Sequence, residues 1–412
     1  MLKIARDCFR VDRYNYPEAE VMTTAHDIDR NFKIGSKYYS PLIDTIEDDL
    51  KDLGVSTTSF CRIISRIKGD LSYGNAYSPE GGFARALIGK RLKGVLFRGK
   101  YPYSNMEERV WGKILDKVKP KKVVAILPSR ELCVACKKRG VWVTDVQHGN
   151  FSDQHDWYGE TWRGKEPNEW FPHSFLLWDN ASARVLKWVE SKGAECNVVG
   201  NRWLSRFMLD KPGDTIVKYA KERSTWLTKT NPKNKSILVT LQWGQQGDGL
   251  LQEGFISKEL EKVIINTSEN INWCLRLHPN QLEGFSKEES SRFKSYFKRH
   301  LEGHAEWEET STDPLPLVLS RCDAHFSWFS STAHEASLIG LKSAMLDPEL
   351  IPGGTRDLFF SHLIEEGLVY LVDNQEKSIV TWIDEHVLGR SGTYEPTEFD
   401  LRYNKLLDFL KS

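Results

Sequence analysis

The chain has 412 residues, a length that favours two domains over one large core. Lysine plus arginine and aspartate plus glutamate each total 57, so the formal net charge is zero, without the basic excess typical of nucleic-acid-binding proteins. The sequence contains no run of about 18 apolar residues that could span a bilayer, and its first residues lack the apolar segment of a secretory signal. We therefore predict a globular cytoplasmic protein.

The first half of the sequence alternates between predicted strands and helices. Its first thirty residues are polar and carry no clear pattern, whereas Ser40-Pro41 and the apolar spacing behind it predict a helix that ends at Gly54. A second amphipathic helix is predicted at residues 105–118. Strands are then predicted at 121–127, 141–146, 175–178 and 196–199, with helices at 130–139 and 180–192. Such strand–helix–strand repeats are typical of a parallel α/β sheet.

The second half repeats this pattern after a polar linker at residues 231–235. Strands are predicted at 236–243, 271–277, 324–328 and 342–346. Helices are predicted at 259–269, in the charged segment that follows Pro279 and runs to about residue 300, at 315–321, after Ser330 and at 398–410. We therefore predict two doubly wound α/β domains, residues 1–230 and 231–390. Residues 391–412 are expected to form a helix that crosses back to the first domain.

Polar residues follow the predicted strands, where parallel sheets bind their ligands. Ser330, Ser331 and Thr332 precede a helix whose free N–H groups and hydroxyls could hold a phosphate, with Glu335 one turn later for a ribose. The alternative is a capping box between Thr332 and Glu335 that needs no ligand.

A second group ends the strand at 271–277. Arg276 and His278 are two residues apart, so both would point the same way from an extended strand and could neutralise a phosphate. The alternative is a histidine bonded to nearby backbone, with Pro279 ending the strand. Gln242 and Trp243, at the end of strand 236–243, could line the same pocket.

A third group lies in the first half, where two histidines and three acids cluster at residues 145–156. Histidine titrates near neutral pH, so the cluster suits general acid–base chemistry, with His148 as the preferred base and Asp153 and His155 as alternatives. Its spacing matches no common zinc pattern, so we predict no metal. A polar surface loop is the competing interpretation.

Seven scattered cysteines, an odd number, argue against a disulfide framework. Cys133 and Cys136 form the one CxxC pair, without a second pair or histidines at zinc spacing. We predict that they pack one face of a helix, with a redox role as the alternative.

Four segments resemble motifs of bacterial surface-polysaccharide glycosyltransferases of the GT-B type, and they follow one another in the same order. These are VTDVQHGNFSDQHDWY (a QHG…H..Y loop), FLLWDNASARVLKWVESKGAECNVVGNRW (a helix and a VVGNP turn), LRLHPNQ (an RxHP strand end) and HFSWFSSTAHEASLIGLKSAML (an SS…EA…GxP helix). Arg202 and Lys342 stand where proline is usual. The resemblance covers residues 120–350 and extends to capsule, lipopolysaccharide and O-antigen sugar transferases, CMP-sialic acid and CMP-Kdo users, and CDP-glycerol glycerophosphotransferases.

This resemblance implies a GT-B fold, two Rossmann-like domains that face each other across a cleft, and metal-independent transfer of a sugar from a nucleotide donor. The HP and paired-serine motifs favour a CMP-linked donor. The implied donor residues in the second domain are Arg276, His278, Ser330, Ser331 and Thr332 for phosphate, and Glu335 and Gln242 for ribose and base. The first domain would bind the acceptor, with His148 as base and Asp153 and His155 in reserve. If the sugar configuration is retained instead, Asp153 or Asp145 would be the nucleophile.

The expected acceptor is a glycan, free or lipid-linked. Basic and apolar residues alternate over 83–100, which suits peripheral contact with the inner membrane, although an ordinary solvated helix face explains the same pattern. Two other functions stay open. One is a sugar-nucleotide epimerase of the same fold, whose acidic and arginine-rich signatures are missing here. The other is a catalytically inactive module that binds glycans or serves as a scaffold.

Overall fold

The structure is a computed structural model that describes residue 9 and residues 11–61, 65–97, 103–152, 155, 157–225, 231–284, 286–388 and 397–412. The chain forms two compact units, Met1–Trp203 with Phe399–Ser412, and Leu204–Glu398. Residues 204–225 group with the second unit, whereas we had assigned them to the first domain. The side chains of two residues explain this, because Arg321 donates to Ser224 Oγ over 2.9 Å and Glu309 accepts from Thr225 N over 2.7 Å.

The first unit is built on a parallel sheet of six strands. Its strands and a small antiparallel pair are β1 (Val21–Ala25), β2 (Phe32–Ile34), β3 (Lys37–Tyr39), β4 (Thr57–Cys61), β5 (Lys122–Ala125), β6 (Trp142–Val146), β7 (Ser174–Leu177) and β8 (Glu195–Val198). The sheet order is β4-β1-β5-β6-β7-β8, and β2 pairs with β3. The α-helices are Ile43–Asp52, Glu80–Phe97, Asn105–Val118, Arg130–Lys137, Glu160–Arg163, Asn180–Leu186 and Thr397–Lys411.

Helices cover both faces of this sheet, as β1 shows, because it carries apolar side chains on both sides. On one face, Val21 and Ala25 of β1 pack with Ile46 of helix Ile43–Asp52. On the other face, Met22 packs with Trp111 of helix Asn105–Val118. The C-terminal helix Thr397–Lys411 joins the first of these layers.

The second unit contains another parallel sheet of six strands. Its strands, with a short antiparallel pair, are β9 (Lys235–Thr240), β10 (Leu251–Gln252), β11 (Ile256–Ser257), β12 (Ile271–Arg276), β13 (Ala305–Glu306), β14 (Ala324–Ser327), β15 (Ser343–Met345) and β16 (Val369–Leu371). Its α-helices are Thr215–Arg223, Lys258–Thr267, Lys287–His300, Glu308–Thr312, Leu315–Leu319, Thr332–Ser337, Ser361–Glu365 and Glu376–Ile383. Helix Arg202–Leu209 spans the division between the units.

The strand order of the second sheet is β13-β12-β9-β14-β15-β16. All these strands are parallel, but successive strands are added on one side of β9 up to β13 and on its other side from β14 onwards. Numbered along the chain within the sheet, the strand order is 3-2-1-4-5-6, the order of dinucleotide-binding folds. The reversal lies between β9 and β14, where the connections leave in opposite directions. Thr240 at the end of β9 is level with Arg276 on β12 and Ser327 on β14, so the three central strands end at one edge.

The prediction of an α/β fold with two Rossmann-like sheets is confirmed by these two parallel sheets. The core on one face of the second sheet joins Trp273 and Phe326 of the strands to Phe293 and Trp382 of the helices. No helix in the described part of the chain is long and apolar enough to cross a membrane.

Candidate functional site

The point of strand reversal in the second sheet brings the β9 and β14 loops together. Gln242 follows β9 and donates from Nε2 to Ser327 Oγ at the end of β14, over 3.4 Å. The backbone carbonyl of Gln242 accepts from Gln281 Nε2 in the turn after β12, over 3.1 Å. Ligands of such sheets bind at this crevice, beyond the carboxyl ends of the strands. Gln242 therefore connects the loops of all three central strands at the edge where a ligand is expected.

His278 caps the short turn Pro279–Gln281 after β12. Its backbone N donates to Gln281 Oε1 over 2.9 Å, and its Nδ1 accepts from Asn280 N over 3.1 Å. Burial lowers the pKa of His278 below its ordinary value, so the ring is neutral near pH 7. A neutral imidazole that accepts at Nδ1 carries its proton on Nε2. His278 thus offers an uncharged N–H donor, where we had expected a positive charge.

Arg276 does not join His278 in a charged pair. Its Nη1 donates to the carbonyls of Thr310 and Asp313, the second over 2.8 Å, and so holds the segment after β13 against the strand. Burial lowers the Arg276 pKa to about 10, opposed by the charge of Glu335. The strand ends at Arg276, and the turn that His278 caps follows it. Arg276 supports the backbone, and its assignment to phosphate stays a prediction.

The serine segment after β14 is held by its own hydroxyls. Ser330 Oγ accepts from Thr332 N over 3.2 Å and lies 3.1 Å from Thr332 Oγ1, while Ser330 N donates to Ser327 Oγ over 3.2 Å. Helix Thr332–Ser337 begins behind an exposed Ser331 whose side chain makes no capping bond within the described chain. The N-cap residue is Ser331, so Thr332 and Glu335 do not form the alternative capping box.

In the first unit, Asp145, Tyr158 and His148 form a hydrogen-bonded chain at the end of β6. The Tyr158 hydroxyl donates to Asp145 Oδ2 over 3.3 Å and lies 3.2 Å from His148 Nδ1. Asp145 Oδ1 accepts from Leu127 N over 2.9 Å. Tyr158 has one hydroxyl proton, so when that proton goes to Asp145, His148 must donate from Nδ1. The lone pair of His148 is then on Nε2, as a general base requires.

The other predicted residues of this cluster differ from His148. His155 Nδ1 accepts from Trp157 N over 3.1 Å, which places its neutral-state proton on Nε2 and favours a donor over a base. Asp145 is about 1% exposed and bonded to Tyr158 and Leu127, and its assignment as a nucleophile stays a prediction. Asp153 lies outside the described residues. Of the two described histidines, the hydrogen bonds favour His148 as the base.

Two side chains that matter at these edges, Tyr158 and Gln147, are not among the predicted site residues, whereas the sequence already places Trp243 at the donor pocket. Tyr158 orients His148, and Gln147 fixes the loop: its Oε1 accepts from Trp178 N over 2.8 Å, and its Nε2 donates to Ser182 Oγ over 3.0 Å. Trp243, with half of its surface exposed, lies beside His278. A tyrosine ten residues from a histidine gives no sequence signal of contact, because the intervening loop brings them together.

The CxxC cysteines belong to the hydrophobic core. Cys133 and Cys136 lie on helix Arg130–Lys137 with no exposed surface. Burial raises the pKa of Cys133 to about 12 and that of Cys136 well above its usual value. Both thiols stay protonated and unreactive at neutral pH, so packing accounts for the motif.

The segment predicted to contact a membrane is partly engaged inside the first unit. Lys90 Nζ lies 2.7 Å from Glu107 and 2.8 Å from Glu131, both buried, and Phe83 packs on Trp111 with ring centroids 4.9 Å apart. Residues 98–100 lie outside the described residues. Phe83 and Lys90 therefore give no support to membrane contact, which stays a prediction.

Solved structures of sugar-nucleotide enzymes share this fold. UDP-GlcNAc 2-epimerase from Neisseria meningitidis, solved with UDP-GlcNAc, is 14% identical, with a TM-score of 0.56 over 95% of this chain and 100% of that one. The Methanocaldococcus jannaschii enzyme is 12% identical, with a TM-score of 0.53 over 95% and 99%. The wall teichoic acid polymerase TagF is 10% identical, with a TM-score of 0.54 over 99% and 87%. No family model matches the chain, and no curated protein matches it in sequence.

These similarities support a GT-B fold, and at such low identity they support the fold alone. Both a transferase-like polymerase and epimerases share it. The reaction must therefore be argued from this chain's own residues.

Proposed function

We propose that this protein is a cytoplasmic, metal-independent glycosyltransferase that moves a sugar from a nucleotide donor to a hydroxyl of a growing surface glycan. The donor is proposed to be CMP-linked, on the resemblance of the HP and paired-serine segments, and the acceptor pathway to be capsule or lipopolysaccharide synthesis. The observation that carries the proposal is the Asp145–Tyr158–His148 chain, which suits removal of a proton from a hydroxyl.

The second unit is proposed to bind the donor. Its strand reversal, the Ser330 hydroxyl and the Nε2–H of His278 form an edge of polar groups that can bond phosphate oxygens. A neutral donor gains strength as negative charge develops on the leaving phosphate, so it stabilises the transition state more than the ground state.

The first unit is proposed to activate the acceptor. His148 Nε2 would take the hydroxyl proton as the acceptor oxygen forms its bond to the anomeric carbon, while the bond from that carbon to the phosphate oxygen breaks. The electron pair leaves with the nucleotide, whose phosphate accepts a hydrogen bond from His278. The resulting His148 imidazolium is stabilised through Tyr158 by the Asp145 carboxylate.

An epimerase is the second candidate, favoured by the shared fold of the two epimerases. It would act on the nucleotide sugar alone. A glycosyltransferase releases its nucleotide only when an acceptor is present, whereas an epimerase reacts without one. This difference provides the test.

The test uses the full chain in EDTA with CMP-, UDP- and GDP-linked sugars, with and without acceptor saccharides. We expect nucleotide release that depends on the acceptor and a longer glycan by mass spectrometry. Inverted sugar configuration without acceptor or release would establish the epimerase instead. Nucleotide binding with neither reaction would identify an inactive module. Activity that requires an added metal would contradict metal independence.

Variants of the hydrogen-bonded chain test the base. His148→Ala should lower kcat by about 100-fold or more, and Tyr158→Phe by about tenfold with the donor KM unchanged, because Tyr158 acts through His148. His304→Ala is the matched control. His304 precedes β13, and its Nδ1 lies 2.9 Å from Ser268 Oγ, so it lies where the strands of the second sheet begin, away from the strand ends that form the proposed site. Wild-type turnover in His148→Ala would remove His148 from the mechanism.

A further inference from the structure

A cavity of about 440 Å³ opens beside the ends of β9 and β12. Its walls come from the loop after β9, the turn after β12 and the start of helix Lys287–His300. The residues that line it are Trp243, Gly244, Gln246, Asn280, Ser286 and Glu289. The cavity lies on the β12 side of β9, next to His278, whereas Ser330 of the proposed phosphate edge follows β14 on the other side of β9.

Trp243 forms an aromatic wall with a fixed position. Its ring centroid is 6.4 Å from that of His278, with the planes 23° apart, and half of its surface remains exposed. Gly244 follows with φ of +81°, a conformation that other residues rarely adopt, so the chain turns immediately after the indole. A flat apolar face is therefore held in contact with solvent at the mouth of a cavity.

The opposite wall is polar and carries a negative charge. Glu289 Oε1 accepts from Gln246 Nε2 over 3.0 Å and from Arg292 Nη1 over 2.7 Å, and its side chain is 15% exposed. Ser286 Oγ accepts from Glu289 N over 3.2 Å and so caps the helix. Glu289 is the one ionisable residue among those lining the cavity, and Arg292 pairs with its Oε1, so its second carboxylate oxygen is the one that can accept from hydroxyl groups.

We infer that this cavity binds a neutral sugar ring, with the C–H face of the sugar on Trp243 and its hydroxyls on Glu289, Gln246 and Asn280. The inference rests on the proposed function for the source of the sugar, which is either the donor's transferred residue or a residue of the acceptor glycan.

Saturation-transfer NMR on the full chain tests the cavity with free galactose and free N-acetylglucosamine. We expect the C–H protons of both sugars to receive saturation. Trp243→Ala should reduce this signal at least about fivefold, the loss of about 1 kcal/mol of stacking. Trp162→Ala is the matched control, a tryptophan of the first unit with 55% of its surface exposed.

The source of the sugar is resolved with CMP-linked and UDP-linked sugars as probes. Saturation of the linked sugar of either probe, lost in Trp243→Ala while the nucleoside signals persist, assigns the cavity to the donor. Saturation of free sugars alone assigns it to the acceptor. Equal neutral-sugar signals in wild type and Trp243→Ala, or none from any neutral sugar, would overturn the inference. Free sugars need no nucleotide, so failure of nucleotide binding alone would count against the proposed function and leave this site intact.

Discussion

His325 lies in the interior of the second sheet with a hydroxyl on each side. Its Nε2 is 2.7 Å from Thr240 Oγ1 on β9, and its Nδ1 is 2.9 Å from Ser343 Oγ on β15. A neutral imidazole has one donor and one acceptor, and two hydroxyls satisfy both. Burial lowers the His325 pKa to about 3, so the ring remains neutral in the folded protein at any pH where the fold persists.

This buried histidine predicts acid sensitivity of the second unit. In the unfolded chain the His325 pKa is about 6.5, so the unfolded state binds the proton more readily. The free energy of unfolding should therefore fall by about 1.4 kcal/mol per pH unit between about pH 6.5 and about pH 3, a loss of about 2 kcal/mol at pH 5. Denaturation of wild type and His325→Gln from pH 7.5 to 4.5 measures it. The free energy of unfolding should fall less steeply with falling pH in His325→Gln, by the uptake of one proton. Equal slopes in the two proteins would contradict the assignment.

The residue types of the candidate site could be predicted from the sequence, but their protonation states could not. His148 and His278 both follow strands, as the motifs indicated. Their different roles depend on Tyr158 and on the Asn280 amide, which become their partners only in the folded loops. Arg276 shows the same limit, because its carbonyl partners lie more than thirty residues away in sequence.

At the scale of elements, the strands with β-branched apolar runs were predictable, whereas the interior strand β1 was not. Val21–Ala25 has the sequence VMTTA, in which Thr23 and Thr24 interrupt the apolar pattern. Both threonines are buried, and Thr23 donates to Glu47 of helix Ile43–Asp52. A buried hydroxyl is stable only when it has a hydrogen-bond partner. The partner of Thr23 lies on a separate helix, so the pattern of the strand alone does not predict it.

The C-terminal helix Thr397–Lys411 should stabilise the first unit, although several of the residues that it contacts there lie near the other end of the sequence. Leu406 is 1% exposed in the cluster with Val21 and Ile46, and Tyr403 donates to Asp49 over 3.1 Å. Leu406→Ala should lower the free energy of unfolding of the first unit by about 2–4 kcal/mol, because it leaves a cavity.

Leu401→Ala is the matched control on the same helix. Leu401 is 58% exposed, so the change should stay within about 0.5 kcal/mol. Urea denaturation followed by circular dichroism compares the two variants. Equal stability of Leu406→Ala and Leu401→Ala would show that the helix contributes little to the first core.

At the scale of the whole molecule, four strands of each parallel sheet were predictable, whereas the other two strands of each sheet and the strand order were not. Each β–α repeat is local, but β1 lies between β4 and β5, and β9 between β12 and β14. These pairings join residues far apart in sequence, and several orders bury similar apolar surface. The reversal at β9 and β14 is what locates a ligand edge, so the structure adds the position of a site whose residues the motifs had already indicated.

The two sheets should respond differently to a nucleotide added without acceptor. A ligand that binds the native state raises the free energy of local opening at its contacts, in proportion to the logarithm of its concentration over Kd. If the donor binds at the reversal of the second sheet, hydrogen exchange should slow at residues 241–246, 278–281 and 328–332. It should stay unchanged at 142–152, where the acceptor base lies. CMP should protect more than UDP or GDP, and His278→Ala should weaken the effect by removing the Nε2–H donor. Protection confined to the first unit would reverse the assignment of donor and acceptor, and stronger protection by UDP would keep the assignment but replace the cytidine donor.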